Sequence, residues 1–408
     1  MEHERAADPG PVPAPKATRI IRAALLAHGP QSRAQLLTRT GLARSTVARV
    51  AQSLIDQGVV REISGPGAAS SRGRPPVLLA LNTAADLVGC LVLSHRDLRA
   101  AIVALDGTIL ASVDASVDPL DSTFDLVGRG EVMLRTASAT LDETAIENLL
   151  GLALAVPGPY RPGVGLVGVQ ELAAQVRGAH GGRELPPWMT QDPGTELARR
   201  LGVPVVVEND ANMAAIGEHT AGAASDARSA VVVTVFDGLV GAGLILNGKL
   251  FRGALGMAGE IAHVSVVENG PLCRCGRRGC LAAVLATTEL STPIDGEEPS
   301  LHLVDVFSRA AFGRPALLPA LLDATRHIGK VLSDLCIWLN PETIVIQGLD
   351  AQVADRVVAM LETEIHARAG HLVGQATRVL ASRLGEDARV LGGLALVRQH
   401  LAAQSDAD

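Results

Sequence analysis

The sequence predicts an α/β fold with two parts, a small helical domain with a hairpin at the N-terminus and a larger two-lobed body. Three short helical patterns open the chain, and a pair of strand patterns follows them. From Leu87 onward, apolar strand patterns alternate with helical patterns and glycine-rich bends. A length of 408 residues is too great for one ordinary domain, and the 48% hydrophobic content suffices for several cores.

The charge of the chain is unevenly distributed. The net charge is -7, yet the segment from Lys16 to Pro76 holds ten basic residues and only two acidic ones. The N-terminal part is therefore strongly basic and the remainder is acidic. This pattern indicates that the N-terminal part alone contacts a polyanion.

The first residues predict neither export nor membrane insertion. The opening MEHERAADPGPVPAPK is charged and then proline-rich, without the apolar core of a signal peptide, and no apolar run approaches 18 residues. We therefore expect a cytoplasmic protein without a membrane partner, whose cysteines stay reduced. Residues 1–15 are predicted to form a disordered tail.

The basic N-terminal domain, predicted to span residues 16–82, begins with three helical patterns. The first, ATRIIRAALLAHG, ends at Gly29, and the second, SRAQLLTRTG, has Ser32 as its N-cap and Gly41 as its stop. The third, ARSTVARVAQSLIDQG, turns Val47, Val50, Leu54 and Ile55 toward the core. This order predicts a helix-turn-helix whose third helix enters the DNA major groove by its N-terminus. The helical side chains expected to contact DNA are Ser32, Arg33, Arg44, Ser45, Thr46 and Arg49.

A wing follows the three helices. The stretch VVREISGPGAASSRGRPPVLLALN reads as strand, loop and strand, and its tip carries Arg72 and Arg74, which can hold phosphates or enter a minor groove. The alternative is a helical packing module with solvated arginines. The helix order, the wing and the charge bias together favour a winged helix-turn-helix that binds double-stranded DNA.

The body is predicted to contain two α/β lobes with a cleft between them. The first lobe is assigned to residues 85–207 plus 388–408 and the second to residues 208–387. In VPVVVENDANMAAIGEH a strand runs into a helix with Asn209 and Asp210 at the junction. Open α/β sheets place their ligands at this end of a strand.

Three of the five cysteines lie within eight residues, in GEIAHVSVVENGPLCRCGRRGC. Cys273, Cys275 and Cys280 offer three thiolates, and His263, ten residues earlier, offers an imidazole. Four such ligands complete a tetrahedron around zinc and leave no open position, which predicts a structural Zn²⁺. The alternative is a set of reduced cysteines without a metal.

These motifs resemble those of the ROK family, which contains sugar kinases and sugar-responsive repressors. GEIAHVSV with CRCGRRGC is similar to the family's Glu-x-Gly-His and Cys-x-Cys-Gly-x-x-Gly-Cys signature, VENDANMAAIGE to its Glu-Asn-Asp-Ala-Asn segment, and AVPGP to its Pro-Gly sugar loop. The winged helix resembles that of the repressor branch. The resemblance covers the chain from about Ala17 and implies an actin/hexokinase-like (ribonuclease H-like) body. It also implies that Asn209, Asp210, Glu260 and His263 bind an effector, Asp210 matching the general base of the kinases.

The chain departs from the family where the kinases bind phosphate. Their first phosphate motif, Asp-x-Gly-Gly-Thr, corresponds here to LVLSHRDLRAA, which has neither the leading Asp nor the two glycines. In the second motif, FDGLVGAG, Gly238, Gly241 and Gly243 remain but the Thr is absent, and only Gly348 remains of a later glycine pair. A phosphate cradle needs backbone N–H groups free of side chains. We therefore expect no kinase activity and no catalytic residue.

The chain also departs from the family at residues that contact the sugar. Ala282 and Glu184 stand where the family has a Glu and an Asn that contact sugar, and Ala262 replaces the Gly of Glu-x-Gly-His. The sequence thus predicts a DNA-binding regulator of the repressor type that senses a sugar or sugar phosphate. A constitutive regulator with a non-sensing body and a sugar kinase are the alternatives. A homodimer or tetramer on a near-palindromic operator is expected, because two winged helices would read two half-sites.

Overall fold

The computed structural model describes residues 14–56, 59–64, 77–81, 86–141, 145–168, 185–236, 239–287, 307 and 317–407. Three helices and a hairpin, residues 14–81, form a small unit that we call the head. Two five-stranded sheets with their helices, residues 86–407, form the body. Among the described residues, no helix combines the length and apolar character needed to cross a bilayer.

The head has the predicted order of elements. They are α1 (Ala14–His28), α2 (Arg33–Thr40), α3 (Arg44–Asp56) and the antiparallel strands β1 (Val60–Ser64) and β2 (Val77–Leu81). Ala14 and Pro15, which the sequence analysis placed in a disordered tail, are the first residues of α1, where proline is well tolerated. The other tail residues, 1–13, lie outside the described residues.

Local signals in the sequence fix the ends of the head's helices. Ser32 caps α2 as predicted, accepting from the backbone N–H of Gln35, whose side chain accepts in return from the N–H of Ser32. Gly41 ends α2 in the left-handed conformation, with φ of 64°. The apolar faces of the helices meet in one core with the hairpin residue Leu79.

The described residues of the body contain twelve strands, of which ten form two five-stranded sheets and two pair with each other in a small hairpin. The strands are β3 (Leu87–Leu93), β4 (Asp97–Ala104), β5 (Ile109–Ser116), β6 (Leu149–Val156), β7 (Tyr160–Arg161), β8 (Gly165–Leu166), β9 (Val205–Asn209), β10 (Ala230–Phe236), β11 (Leu239–Leu246), β12 (Lys249–Leu250), β13 (Thr343–Gln347) and β14 (Arg378–Ala381). The first sheet has the order β5-β4-β3-β6-β9 and the second β12-β11-β10-β13-β14. In each, an antiparallel meander of three strands is extended by two parallel strands. This repeated topology confirms the predicted two-lobed α/β body.

Helices cover both sheets. They are α4 (Leu126–Ala139), α5 (Pro187–Thr190), α6 (Pro193–Leu201), α7 (Asp210–Ala221), α8 (Leu281–Thr287), α9 (Leu318–Leu339), α10 (Ala351–Arg368), α11 (His371–Ala376) and α12 (Asp387–Ala407), with 3-10 turns at Ala145–Asn148 and Ile261–His263. The first lobe has a core on each face of its sheet, and the larger core of the second lobe packs α9 and α10 on β10 and β13. The boundaries assigned to the tail, the head and the lobes stay predictions.

The last helix, α12, connects the cleft to the head. It crosses α7 so closely that a Cβ on Gly217 would lie 1.9 Å from the carbonyl oxygen of Ala388, and one on Gly392 would lie 1.8 Å from that of Met213. Its other contacts include α1 of the head. Leu81 packs against both the head core and a first-lobe core, and Arg22 of α1 pairs with the buried Asp86. The head is thus seated on the first lobe through α1.

Candidate functional site

The N-terminal end of α3 presents the polar cluster that the sequence predicts. Arg44, Ser45 and Arg49 are exposed and Thr46 is half-buried. The opposite side of α3 is buried through Val47, Val50 and Leu54, and the predicted core residue Ile55 is half-buried. The basic side chains therefore lie on the surface and are free to meet a polyanion.

Two other predicted DNA contacts have partners within the head. The Ser32 hydroxyl accepts from the Gln35 N–H at 3.2 Å, and Arg33 Nη1 lies 2.9 Å from Glu62 Oε1 on β1. Arg72 and Arg74 of the wing lie outside the described residues.

The metal-ligand candidates of the body converge, as the sequence analysis expected. The donor atoms of His263, Cys273, Cys275 and Cys280 all lie within 4.8 Å of one another. His263 Nδ1 is 3.5 Å from Cys273 Sγ, and Cys275 Sγ is 3.6 Å from Cys280 Sγ. Zinc–sulfur bonds of about 2.3 Å in a tetrahedron place sulfurs about 3.8 Å apart, so this donor set fits a tetrahedral metal ion.

Two glycines allow the chain to fold back on itself here. Gly276 has φ of 83° and Gly279 has φ of 69°, and a Cβ on Gly279 would lie 1.7 Å from the carbonyl oxygen of Val267. The N–H of Cys273 donates to the carbonyl of Arg277 at 2.7 Å and closes the turn between the thiols. Burial, followed by the charges of Arg274 and Arg277, lowers the pKa of His263. A lowered pKa favours the neutral imidazole, which is the form that ligates a metal.

The first wall of the cleft stands at the carboxyl ends of β6 and β9. Asn209 caps α7, its Oδ1 accepting from the N–H of Asn212 at 3.0 Å, while its Nδ2 donates to the carbonyl of Gly158 at 3.0 Å. Gly158 ends the sugar-loop motif with φ of 110°. Asp210 follows with 4% exposure, and burial raises its pKa to about 6. A carboxyl with a pKa of about 6 is mostly ionised at neutral pH, and it can then accept hydrogen bonds from hydroxyl groups.

The second wall comes from the other lobe. Glu260 precedes the 3-10 turn that ends at His263, and Gly259 fastens it to β11, accepting from the N–H of Ala242 at 3.1 Å. Burial raises the pKa of Glu260 to about 7, and the charge of Asp210 across the cleft adds to the effect. Two carboxyl groups facing a shared space suit a ligand rich in hydroxyls. The structure thus brings Asn209, Asp210 and Glu260 together beside the metal cluster.

The turn between β3 and β4 stands where the kinases have their first phosphate motif. Ser94 Oγ accepts from the N–H of Asp97 at 3.1 Å and from that of Arg96 at 3.4 Å, and the Ser94 N–H donates to the carbonyl of Asp97. These backbone N–H groups are already used within the turn. Gly348 keeps φ of 91°, whereas Gly238 lies outside the described residues.

Two of the three positions that differ from the family's sugar-site motifs carry small side chains, and the third lies outside the described residues. Ala282 and Ala262 are buried, with 7% and 8% exposure, and neither can contact a ligand through a polar group. Glu184 lies outside the described residues.

The sequence analysis missed a pair of charges that spans the cleft. Glu208, buried at the end of β9, accepts from Arg252 of the second lobe at 2.7 Å. Glu208 stood within a recognised motif without an assigned role. Arg252 had no signal in the sequence, because 44 residues and several elements separate it from its partner.

Comparison with known proteins gives two matching domain families. The ROK family matches residues 97–400, and the IclR helix-turn-helix domain matches residues 15–64. The xylose repressor of Bacillus subtilis (strain 168) is 27% identical over 384 residues, which are 94% of either chain. A glucokinase of Halalkalibacterium halodurans is 34% identical over 220 residues, 50% of this chain and 66% of the glucokinase. A solved ROK family transcriptional regulator, a homologue of the E. coli MLC protein, has a TM-score of 0.65 and 25% identity, covering 95% of this chain and 96% of its own.

Proposed function

Because the chain belongs to the ROK family, we propose that it is a DNA-binding transcriptional repressor whose body binds a sugar or sugar derivative without phosphorylating it. The observation that carries this proposal is the exposed cluster of Arg44, Ser45 and Arg49 at the leading end of α3 in a winged helix-turn-helix. The name of the xylose repressor, which is similar over nearly its whole length, supports the same function.

The absence of kinase activity is part of the proposal. In the β3–β4 turn, the N–H groups of Arg96 and Asp97 are engaged by Ser94, and residues 94–97 include none of the glycines that a phosphate cradle needs. Asp210 then binds hydroxyls and does not abstract a proton. The likeness to a glucokinase supports a sugar as the ligand class.

We further propose that the cluster of His263 and three cysteines holds a structural Zn²⁺. The ion, when bound, would supply a rigid four-point attachment and no open coordination position. His263 would give Nδ1 to the ion, so the loop that carries Glu260 would be fixed relative to the second lobe. The metal would thereby position a cleft wall.

A change in the cleft can reach DNA through packed helices. α7 begins at Asp210, α12 crosses α7 at two glycine contacts, and α12 packs against α1 of the head. In a dimer, closure of the lobes would change the separation of the two heads on a near-palindromic operator. An effector acts in this way only if it binds one separation more tightly than the other.

The test is fluorescence anisotropy at fixed salt on the DNA upstream of the protein's own gene, with and without D-xylose, D-glucose and D-glucose 6-phosphate. We expect tight binding that one sugar weakens or strengthens at least tenfold. Tight binding that no sugar changes would favour a constitutive regulator with a non-sensing body. Steady ATP consumption with the same sugars would contradict the proposal and favour a kinase.

A further inference from the structure

From the cross-lobe contact we infer that Glu208 and Arg252 form a clamp that sets how far the two walls of the cleft stand apart. The inference rests on the proposed function, since it assigns positioning residues for the effector site. Glu208 lies on β9 of the first sheet, although the predicted boundary put residue 208 in the second lobe, and Arg252 lies just after β12 of the second sheet. The pair therefore joins the two sheets through side chains.

The two carboxylate oxygens of Glu208 have different tasks. Oε1 accepts from the backbone N–H of Asn209 at 2.9 Å and from the side-chain amide of Asn212 at 3.0 Å. Oε2 accepts from Arg252, whose Nε and Nη2 both lie 2.7 Å away. One carboxylate thus orients the amide wall of the cleft and holds the opposite lobe at the same time.

The environment of this pair suits a clamp that opens and closes. The Glu208 side chain is 3% exposed and satisfied on both oxygens, so it stays fixed in the first lobe. The Arg252 side chain is 37% exposed, so its guanidinium can exchange the carboxylate for water when the lobes separate. Breaking the pair releases the guanidinium to water but leaves the buried Glu208 carboxylate without a counter-charge, so the paired, closed state is the favoured one.

The segment that carries Arg252 leads directly to the second wall. The Arg252 carbonyl accepts from the N–H of Ala258 at 3.1 Å, which closes a loop two residues before Glu260. Within this loop Gly256 approaches the first lobe so closely that a Cβ would lie 2.7 Å from the Tyr160 carbonyl oxygen. The loop touches the first lobe at two points, and the clamp at Arg252 fixes the position from which Glu260 faces Asp210.

The clamp predicts that Arg252→Met loosens both walls while the head is unaffected. Methionine keeps the aliphatic length and removes the guanidinium, so the buried Glu208 carboxylate keeps only its N–H donors from Asn209 and Asn212. Hydrogen exchange of the full ligand-free chain should become at least tenfold faster in residues 205–215, which run from β9 into α7, and in residues 251–262 after β12. Arg252→Lys, which keeps the charge but not the forked donor, should give an intermediate rate.

A matched control is Arg326→Met. Arg326 is also in the second lobe, is 53% exposed and pairs with Asp323 at 2.9 Å, but both residues lie on one helix and span no cleft. Its exchange rates should equal those of the wild type in both segments. Unchanged exchange in Arg252→Met, or a change confined to residues 251–262, would overturn the clamp.

A second experiment uses D-xylose and D-glucose as probes. It measures sugar affinity by calorimetry and operator affinity by fluorescence anisotropy. For whichever probe the wild type binds, Arg252→Met should lose about tenfold in sugar affinity and leave sugar-free operator affinity unchanged. A loss of both affinities would mean general damage and would overturn a positioning role. If exchange rises in the variant but neither probe binds the wild type, the clamp is supported and the sugar-binding part of the proposed function is the part that fails.

Discussion

The head and the cleft of the body place their charges in opposite ways. Arg44 and Arg49 of the head are exposed, and folding removes little water from them. In the cleft, Glu208 and Asp210 are 2% and 4% exposed, and each depends on partners that the fold must bring close. An exposed charge can contact a polyanion at little cost in stability. A buried charge costs free energy unless it is paired, so a change at such a ligand-binding residue also changes the free energy of folding. Substitutions in the head should therefore change binding alone, and those in the body should change stability as well.

The largest expected effect is at the proposed metal site, where metal binding and folding would be most closely linked. Cys275→Ser removes one of the four proposed ligands, and we expect metal affinity to fall by more than about 100-fold, since the loss of a residue that merely orients a ligand already costs about 10–100-fold. Metal content by mass spectrometry and the thermal midpoint should fall together. Cys336→Ala, at a buried thiol outside the cluster, should keep its metal. If the Cys275→Ser protein were as stable as the wild type, a metal at this site would not contribute to the stability of the fold.

The second effect concerns the joint between the head and the body. Asp86 is fully buried, burial raises its pKa, and Arg22 is its partner. Asp86→Asn leaves a mostly buried cation unpaired, so we expect a loss of about 3 kcal/mol in the free energy of unfolding measured by urea denaturation. Asp114→Asn is the matched control, because Asp114 is 66% exposed beside Arg99. If both substitutions lowered the free energy of unfolding equally, burial would not explain the contribution of Asp86.

The third effect is a dependence on pH. Burial raises the pKa of Asp210 from 3.8 to about 6, so the folded protein holds this proton more tightly than the unfolded chain. Its contribution to stability is present below about pH 4 and is lost as the pH rises through about 6, a loss of about 3 kcal/mol. Asp210→Asn should therefore be more stable than the wild type at pH 7.5 and equal to it near pH 4. Thermal midpoints that differ equally at both pH values would contradict a titration of Asp210.

The fourth effect belongs to the head. Arg49→Ala should weaken operator binding by about 10- to 100-fold, which is about 1–3 kcal/mol, and leave the thermal midpoint unchanged. Anisotropy and a thermal scan on the same sample separate the two quantities. Arg135→Ala, an exposed arginine of the body, should change neither. Unchanged operator affinity of Arg49→Ala would show that α3 does not read the operator.

These differences also explain which features could be predicted from the sequence. The caps at Ser32 and Gly41 and the turn between Cys273 and Cys280 depend on residues a few positions apart, so their spacing was sufficient. The pairs Arg22–Asp86 and Glu208–Arg252 join residues 64 and 44 positions apart, and no local pattern signals them. The sequence predicted the α/β class of the body but not the order of the strands within each sheet. Long-range charge pairing is set by the packing of the lobes, which a single sequence does not display.

The smallest effect tests the comparison within the head itself. Arg33 pairs with Glu62 at 2.9 Å, but both side chains are well exposed, at 38% and 47%. Such a pair is worth about 0.2–1 kcal/mol, so Glu62→Gln should shift the free energy of unfolding by no more than that. Freed from its partner, Arg33 gains access to phosphate, and a negative charge near DNA disappears, so operator affinity should rise about two- to fivefold. The gain should shrink as salt is raised, because it comes from counterion release. A fall in operator affinity would mean that Glu62 orients Arg33 toward the DNA. This exposed pair would then hold a side chain in position, as the buried pairs do.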